Sequence, residues 1–272
     1  MKTDKILDSM RVDKKNKLKL SKLDTGATEG IKDKKDAREE LAKTTVQLDE
    51  LQYKLYAESK TALLVVFQAM DTAGKDGVIR KVFGPINPQG VRVNSFKQPT
   101  PVELAHDYLW RIHHVTPAKG MIGIFNRSHY EDVLVHKVHK LVPDDVIEQR
   151  YRQINDFERH LTENGTVVLK FFLHISSDEQ KKRLQARLDN PKKRWKFEAN
   201  DLVERKLWER YQDAYQAILD NCAFADAPWY VIPADNKWYR DWAVSNIIVR
   251  ELERIDPKYP KEEEGLDKIV IE

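Results

Sequence analysis

The chain has 272 residues, 33% of them charged and 41% hydrophobic, enough for a full core in one large domain or two small ones. Lys and Arg number 47 against 44 Asp and Glu, so the net charge of +3 says little, and the single cysteine, Cys222, excludes an internal disulfide and suits a reducing compartment. No apolar run approaches the roughly 20 residues of a bilayer span, and the N-terminus lacks a signal peptide's apolar stretch, so a cytoplasmic protein without a membrane partner is expected.

Residues 1–60 read as an N-terminal extension, lysine-rich and loosely ordered to about residue 32, then helical from Asp33 to Ser59. Leu41, Leu48, Leu51 and Leu55 recur there at heptad-like spacing, which suits packing on the core or on a second subunit. Leu63 to Phe67 predicts a buried strand, followed by a small-residue loop and a helix carrying Arg80 and Lys81. Further strands are expected at Val91–Phe96, Gly120–Phe125, Thr166–Ile175 and Trp229–Ile232. Between them the pattern predicts helices at Pro101–His113, Ser128–Leu141, Val146–Asn164, Asp178–Asp189 and Asp201–Asn221. Gly165 is placed to stop one of these, and Ser176-x-x-Glu179 has the spacing of a capping box opening another. Near-continuous apolar strands alternating with helices imply an α/β fold of three layers, α/β/α, with a mainly parallel central sheet. The core domain is expected over 61–255, with a helical lid around 181–205 and a charged tail at 256–272.

The richest segment is TALLVVFQAMDTAGKDGVIRKVFG, residues 61–84. Strand, glycine loop, lysine and helix make a P-loop, in which loop N–H groups and the helix N-terminus face phosphate while the lysine reaches an outer phosphate. Ala73, Gly74, Asp76 and Gly77 are the expected phosphate-side residues, with Lys75 as the P-loop lysine and Arg80 and Lys81 behind it. Two departures stand out: Ala69 replaces the first glycine, and Asp76 replaces the magnesium-binding Ser or Thr. Asp71 lies inside the loop, where phosphate repels a carboxylate unless a cation bridges them, so a metal-assisted site is expected.

Ligands of open α/β sheets lie at the carboxyl ends of the strands, where two further segments arrive. After GMIGIF come Asn126, Arg127, Ser128, His129, Tyr130 and Glu131. Asn126 holds the strand tip where a metal-binding Asp is usual, so Asp71 carries more of that duty, and Arg127 offers a planar fork for phosphate oxygens. The other segment, Lys181 to Lys196, has eight basic residues against one acid, Asp189. Arg183 and Arg187 fall on one helix face, and Lys192, Lys193, Arg194, Trp195 and Lys196 follow the Asn190-Pro191 break as a basic lid.

Together QAMDTAGKDG (68–77), FNRSHYEDVLV (125–135) and NPKKRWKF (190–197), with FKQPTP (96–101), resemble the family-2 polyphosphate kinases from about Tyr53 to Arg250. The resemblance implies Mg2+-dependent transfer (Mn2+ as an alternative ion) of a terminal phosphoryl group between inorganic polyphosphate and AMP, ADP or ATP. It implies catalytic roles for Asp71, Lys75 and Arg127, a phosphate channel through Arg183, Arg187, Lys192 and Arg194, and a nucleotide side at Asn126, Ser128 and Glu131. Asp71 and Asn126 are the implied metal-side pair. Many members carry Asp where this chain has Asn126, and the FNRSHYED form is similar to the subgroup that accepts both AMP and ADP. A homo-oligomer with no nucleic-acid partner is expected.

Other reactive side chains read as structural. His113, His114, His136 and His139 lack partners at metal spacing, His129 suits packing near the site, and Cys222 suits the core. Trp208, Tyr211, Tyr215 and Ile218 recur at helical spacing as core residues, whereas Trp195 suits lid packing and substrate contact equally. Two rival functions remain: an ATP-dependent kinase of a small metabolite on the same scaffold, and a polyanion- or RNA-binding module using the basic segment. The second leaves Asp71 and Gly74-Lys75 without a purpose and has one aromatic where base stacking wants several.

Overall fold

The computed structural model describes residues 2–13, 15–266 and 269–271. In chain order the elements are α1 (Lys2–Ser9), β1 (Arg11–Val12), α2 (Lys34–Glu58), β2 (Ala62–Ala69), α3 (Lys75–Val82), β3 (Val91–Ser95), α4 (Pro101–Leu104), α5 (Trp110–His113) and β4 (Ile122–Asn126). There follow α6 (Glu131–Val138), α7 (Asp144–Glu163), β5 (Thr166–His174), α8 (Ser177–Asp189), α9 (Ala199–Lys206), α10 (Trp208–Asn221), β6 (Trp229–Pro233) and α11 (Lys237–Ile255). Among the described residues the strands make one six-stranded sheet in the order β1-β6-β5-β2-β4-β3, parallel except where β1 meets β6.

Every residue of β2 is buried because β4 and β5 flank it edge to edge and helices cover both faces. Parallel crossovers are right-handed, so a connection running toward β3 and one running back toward β6 lie on opposite faces. Accordingly α3 packs with α2 and α11 on one side, while α6, α7 and α10 pack together on the other. This is the α/β/α arrangement, and it leaves the carboxyl ends of β2 and β4 side by side.

Local chemistry explains most element ends. Asp33 caps α2 by accepting from the Lys35 and Asp36 amides, and Gly165, at φ +85°, stops the chain after α7. Ser176 caps α8 through the Glu179 amide, but the Glu179 carboxylate pairs with Arg183 instead of completing a capping box. The expected helix at 101–113 is two short pieces, because the Asp107 side chain takes the Leu109 amide and competes with the helix. The expected helix at 201–221 breaks at Leu207 (φ −93°, ψ 17°) into α9 and α10.

One expectation is corrected. The described residues among the first 32 are not loose: Leu7, Met10, Val12 and Leu20 are buried in the core, and β1 extends the sheet. Few apolar residues suffice there because nearly all of them reach the core, and the Tyr239 hydroxyl also ties the segment down through the Glu29 carbonyl. The leucine stripe of α2 is likewise taken up internally, with Leu48 and Leu55 fully buried where α2 lies along α11. In the tail, Tyr259 packs edge-on to Tyr53 while Ile269 to Ile271 are exposed; Met1, Lys14, Asp267, Lys268 and Glu272 lie outside the described residues.

Candidate active site

The loop between β2 and α3 is shaped by two left-handed residues, Thr72 (φ +67°) and Gly74 (φ +107°). Met70 and Ala73 are buried and pin it to the core, and the Ala73 amide closes a turn onto the Met70 carbonyl at 3.2 Å. Ala73 therefore serves as the loop's anchor, not as a phosphate donor. Gly74 is the N-cap of α3, so the first-turn amides of Lys75, Asp76 and Gly77 are the helix's unpaired donors at its positive end. The Lys75 ammonium folds back to the Ala69 carbonyl at 3.1 Å. Burial, reinforced by the Arg127 guanidinium, lowers its pKa to about 8.

The tip of β4 lies beside this loop, with Asn126 in register with Phe67 and the Arg127 amide donating to the Phe67 carbonyl. Arg127 adopts φ +64°, which turns its side chain across the loop. One arm of its guanidinium donates to Asp71 at 3.0 Å and the other to Glu131 at 3.3 Å. Asn126 donates to Asp76 at 2.9 Å. Partial burial opposes ionisation of Asp76, yet this hydrogen bond and the Lys196 and Lys75 charges hold its carboxyl below the usual range. A cleft of about 420 Å³ opens here, lined by the loop, Asn126, Arg127, Phe96, Lys97, Arg187 and Lys196.

The α8–α9 connection closes over that cleft. Lys196 reaches Asp76 at 3.6 Å, and Arg187 bridges Asp201 at 3.5 Å and the Lys196 carbonyl at 3.1 Å. Lys192 and Arg194 are exposed beside them, with the Arg194 Nε donating to the Leu188 carbonyl. Trp195 is 76% exposed, its indole N–H on the Lys192 carbonyl and its ring under the Lys196 ammonium.

Four other expected site residues stand elsewhere. Arg183 is buried beneath the loop, its guanidinium committed to backbone carbonyls and Glu179, so it is not part of an exposed track. Ser128 is fully buried and accepts from Gln68 and the Tyr130 amide, so it fixes the turn after Arg127 and does not face a ligand. Arg80 and Lys81 are exposed in the last turn of α3, away from the helix end that faces the cleft. Residues 95–97 are placed at the cleft by β3, and Lys97 adds a cation that the motif reading did not single out.

The histidines behave as packing groups. His129 is fully buried against Glu158 at 3.2 Å, and Glu158 in turn meets the Lys170 ammonium at 2.5 Å and the Tyr130 hydroxyl at 2.8 Å. Cys222 is buried, and burial pushes its thiol far above the usual range. Tyr211, Tyr215 and Ile218 are core residues. No three His, Cys, Asp or Glu side chains converge on a metal-sized point among the described residues. A larger cleft, of about 880 Å³, runs past Thr61, Thr166 and Arg250 at the amino ends of the strands, the wrong end of the sheet for a phosphate loop.

The family profile described as polyphosphate kinase 2 (PPK2) matches residues 31–260. The chain belongs to the polyphosphate kinase 2 family. An AMP/ADP-polyphosphate phosphotransferase of Meiothermus ruber is 57% identical over 249 residues, 92% of each chain. An ADP-polyphosphate phosphotransferase of Rhodopseudomonas palustris is 48% identical over 84% of this chain and 83% of its own. The crystal structure of polyphosphate kinase 2 from Arthrobacter aurescens TC1 superposes with a TM-score of 0.93 at 43% identity, over 98% of this chain and 95% of that one. As in sequence, so in fold, the resemblance to this family extends over nearly the whole chain, and among the described residues no helix is long and apolar enough to cross a membrane.

Proposed function

We propose that this protein transfers the terminal phosphoryl group of inorganic polyphosphate to ADP, and also to AMP, reversibly and with Mg2+. The observation that carries the reading is the meeting, in one cleft, of the loop lysine Lys75, the Asp71–Arg127 pair and the basic side chains of Arg187 and Lys196. Relatives named for this transfer, at 57% and 48% identity, support it.

The acceptor's own phosphate oxygen attacks the terminal phosphorus of the donor. As that bond forms, the bond from the phosphorus to the bridging oxygen breaks, leaving the chain one phosphate shorter with the charge on its new end. No protein nucleophile is required, so the work is positioning and neutralisation. Lys75 and Arg127 supply fixed cations to the transferring group, and the first-turn amides of α3 supply aligned dipoles. Asp71 holds Arg127 in place at 3.0 Å, and Glu131 holds its other arm at 3.3 Å. Arg187, Lys192, Arg194, Lys196 and Lys97 form the basic rim along which a polyanion would lie.

The donor set fits magnesium, which takes oxygen ligands and commonly uses one or two carboxylates together with substrate phosphates. Asp71 and Asp76, with Asn126 tied to Asp76 at 2.9 Å, are the residues that would hold it. When bound, the ion neutralises phosphate oxygens and screens them from the two carboxylates; Mn2+ has similar chemistry. A cytoplasmic homo-oligomer completes the proposal, and light scattering on the purified protein measures that assembly.

Incubation with polyphosphate, Mg2+ and AMP or ADP, followed by 31P NMR, tests the function. Appearance of the next higher nucleotide with shortening of the polymer is expected. Transfer that needs ATP as donor would favour a metabolite kinase, and binding without transfer would favour a polyanion-binding module.

A further inference from the structure

Beneath the phosphate loop lie two buried guanidiniums that are not part of the lining of its cleft. Arg240, on α11, is 2% exposed; its Nη1 donates to the Ala73 carbonyl at 2.9 Å, while Nε and Nη2 are held by Asp241 at 2.9 and 2.6 Å. Arg183, on α8, is 8% exposed and donates from Nη1 to the Thr72 and Ala73 carbonyls at 3.1 and 3.0 Å. Its Nη2 takes the carbonyls of Ala234 and Asp235 at 2.7 Å each, which fastens the loop to the end of β6. One carbonyl, that of Ala73, thus receives two arginines from two different helices.

That carbonyl matters because the peptide unit is planar, with C=O and the following N–H on opposite sides. Holding the Ala73 oxygen under the loop turns the Gly74 N–H the other way, toward the cleft. A carbonyl oxygen left facing the cleft would repel phosphate, so its capture from below also removes a penalty. The loop glycines fit the same arrangement. A Cβ on Gly74 would stand 1.9 Å from the Arg240 Nη1, and one on Gly77 would stand 3.2 Å from Nη2. At Gly74 the side-chain-free position is filled by arginine approaching from beneath, in addition to the left-handed φ that favours glycine there.

We propose that Arg240, acting with Arg183, is a positioning residue for phosphoryl transfer: the paired guanidiniums hold the loop carbonyls so that the loop amides meet the transferring group. The inference rests on the function proposed above. Neither arginine touches substrate in this account, and the effect of losing Arg240 falls on the arrangement of donors in the transition state.

The test is kcat and KM for ADP phosphorylation from polyphosphate in Arg240→Ala/Asp241→Asn, which removes both buried charges together and leaves no orphaned carboxylate. Expected is a fall in kcat of roughly 100-fold, the loss that follows about 1 Å of misplacement, with both KM values within about threefold. Added guanidinium at millimolar concentration should refill the space and restore kcat about tenfold, where NaCl at equal ionic strength does not. A purely structural arginine would lower thermal stability without this rescue. Should the double variant fail to fold, Arg240→Lys keeps a cation against Asp241 while losing the planar fork, and the same fall in kcat is expected. A folded variant with kcat within about threefold of wild type, a loss confined to KM, or absence of guanidinium rescue in the double variant overturns the proposal. So does failure of both variants to fold, which would make the pair a folding element. Wild-type protein without polyphosphate-dependent transfer refutes the proposed function instead, and so keeps the two failures apart.

Discussion

Replacing Lys75 with methionine removes one charge and keeps the length of the side chain. The ammonium sits at the mouth of α3, 3.1 Å from the Ala69 carbonyl, in the cleft that holds Asp71 and Arg127. Two unit charges about 4 Å apart at a protein surface interact by about 4 kcal/mol, which corresponds to roughly a thousandfold in rate. Only the part that grows between ground and transition states accelerates the reaction, so a loss of about 100- to 1000-fold in kcat is expected. Stability should move the other way or not at all. Burial already lowers the Lys75 pKa to about 8, so the folded chain holds this charge at a cost that methionine removes. Steady-state ATP formation from ADP and polyphosphate, with a thermal melt of both proteins, measures the two quantities. A loss in kcat below about tenfold, or a large drop in melting temperature, would refute Lys75 as the charge that faces the transferring group.

Asp71→Asn should remove most activity and raise the Mg2+ concentration at half-maximal rate, measured by titrating the ion at saturating substrates; an unchanged Mg2+ dependence would remove Asp71 from the metal's ligands. Neutralising two of Arg187, Lys192 and Arg194 should weaken long-chain polyphosphate more than short-chain and flatten the salt dependence of donor binding, since fewer counterions are released. Equal losses for both chain lengths with the wild-type salt slope would place the polymer elsewhere. The pH profile follows from Lys75: the free enzyme needs the cationic form, which is lost as pH rises through about 8. The alkaline limb of kcat/KM should therefore fall near that pH, while kcat, reporting the phosphate-loaded enzyme, should hold to higher pH. Coincident limbs would contradict this.

The strands were legible because each core strand is a short apolar run, and β2, β4 and β5 lie where those runs stand. The P-loop segment was legible because its residues are contiguous: Asp71, Gly74 and Lys75 fall within five positions and meet in space as they do in sequence. What could not be read depends on long-range partners. Arg183 looks from its basic neighbours like a surface cation, yet its helix carries it beneath Thr72 and Ala73. Arg240 lies far from any motif, and α11 is buried on so many sides that no single apolar stripe marks it. Ser128 directly follows two cleft residues, Asn126 and Arg127, but the left-handed turn at Arg127 directs it inward. The N-terminal segment misled because its composition is polar, although its few apolar residues are the ones that reach the core.

Inorganic polyphosphate is the proposed phosphoryl donor. The direct measurement is ATP formed by the purified protein from ADP, polyphosphate and Mg2+ with no ATP added. ATP is expected in proportion to the phosphate residues lost from the polymer, at a rate about 100- to 1000-fold lower in Lys75→Met. No ATP under these conditions, with the protein folded and Mg2+ in excess, would contradict it.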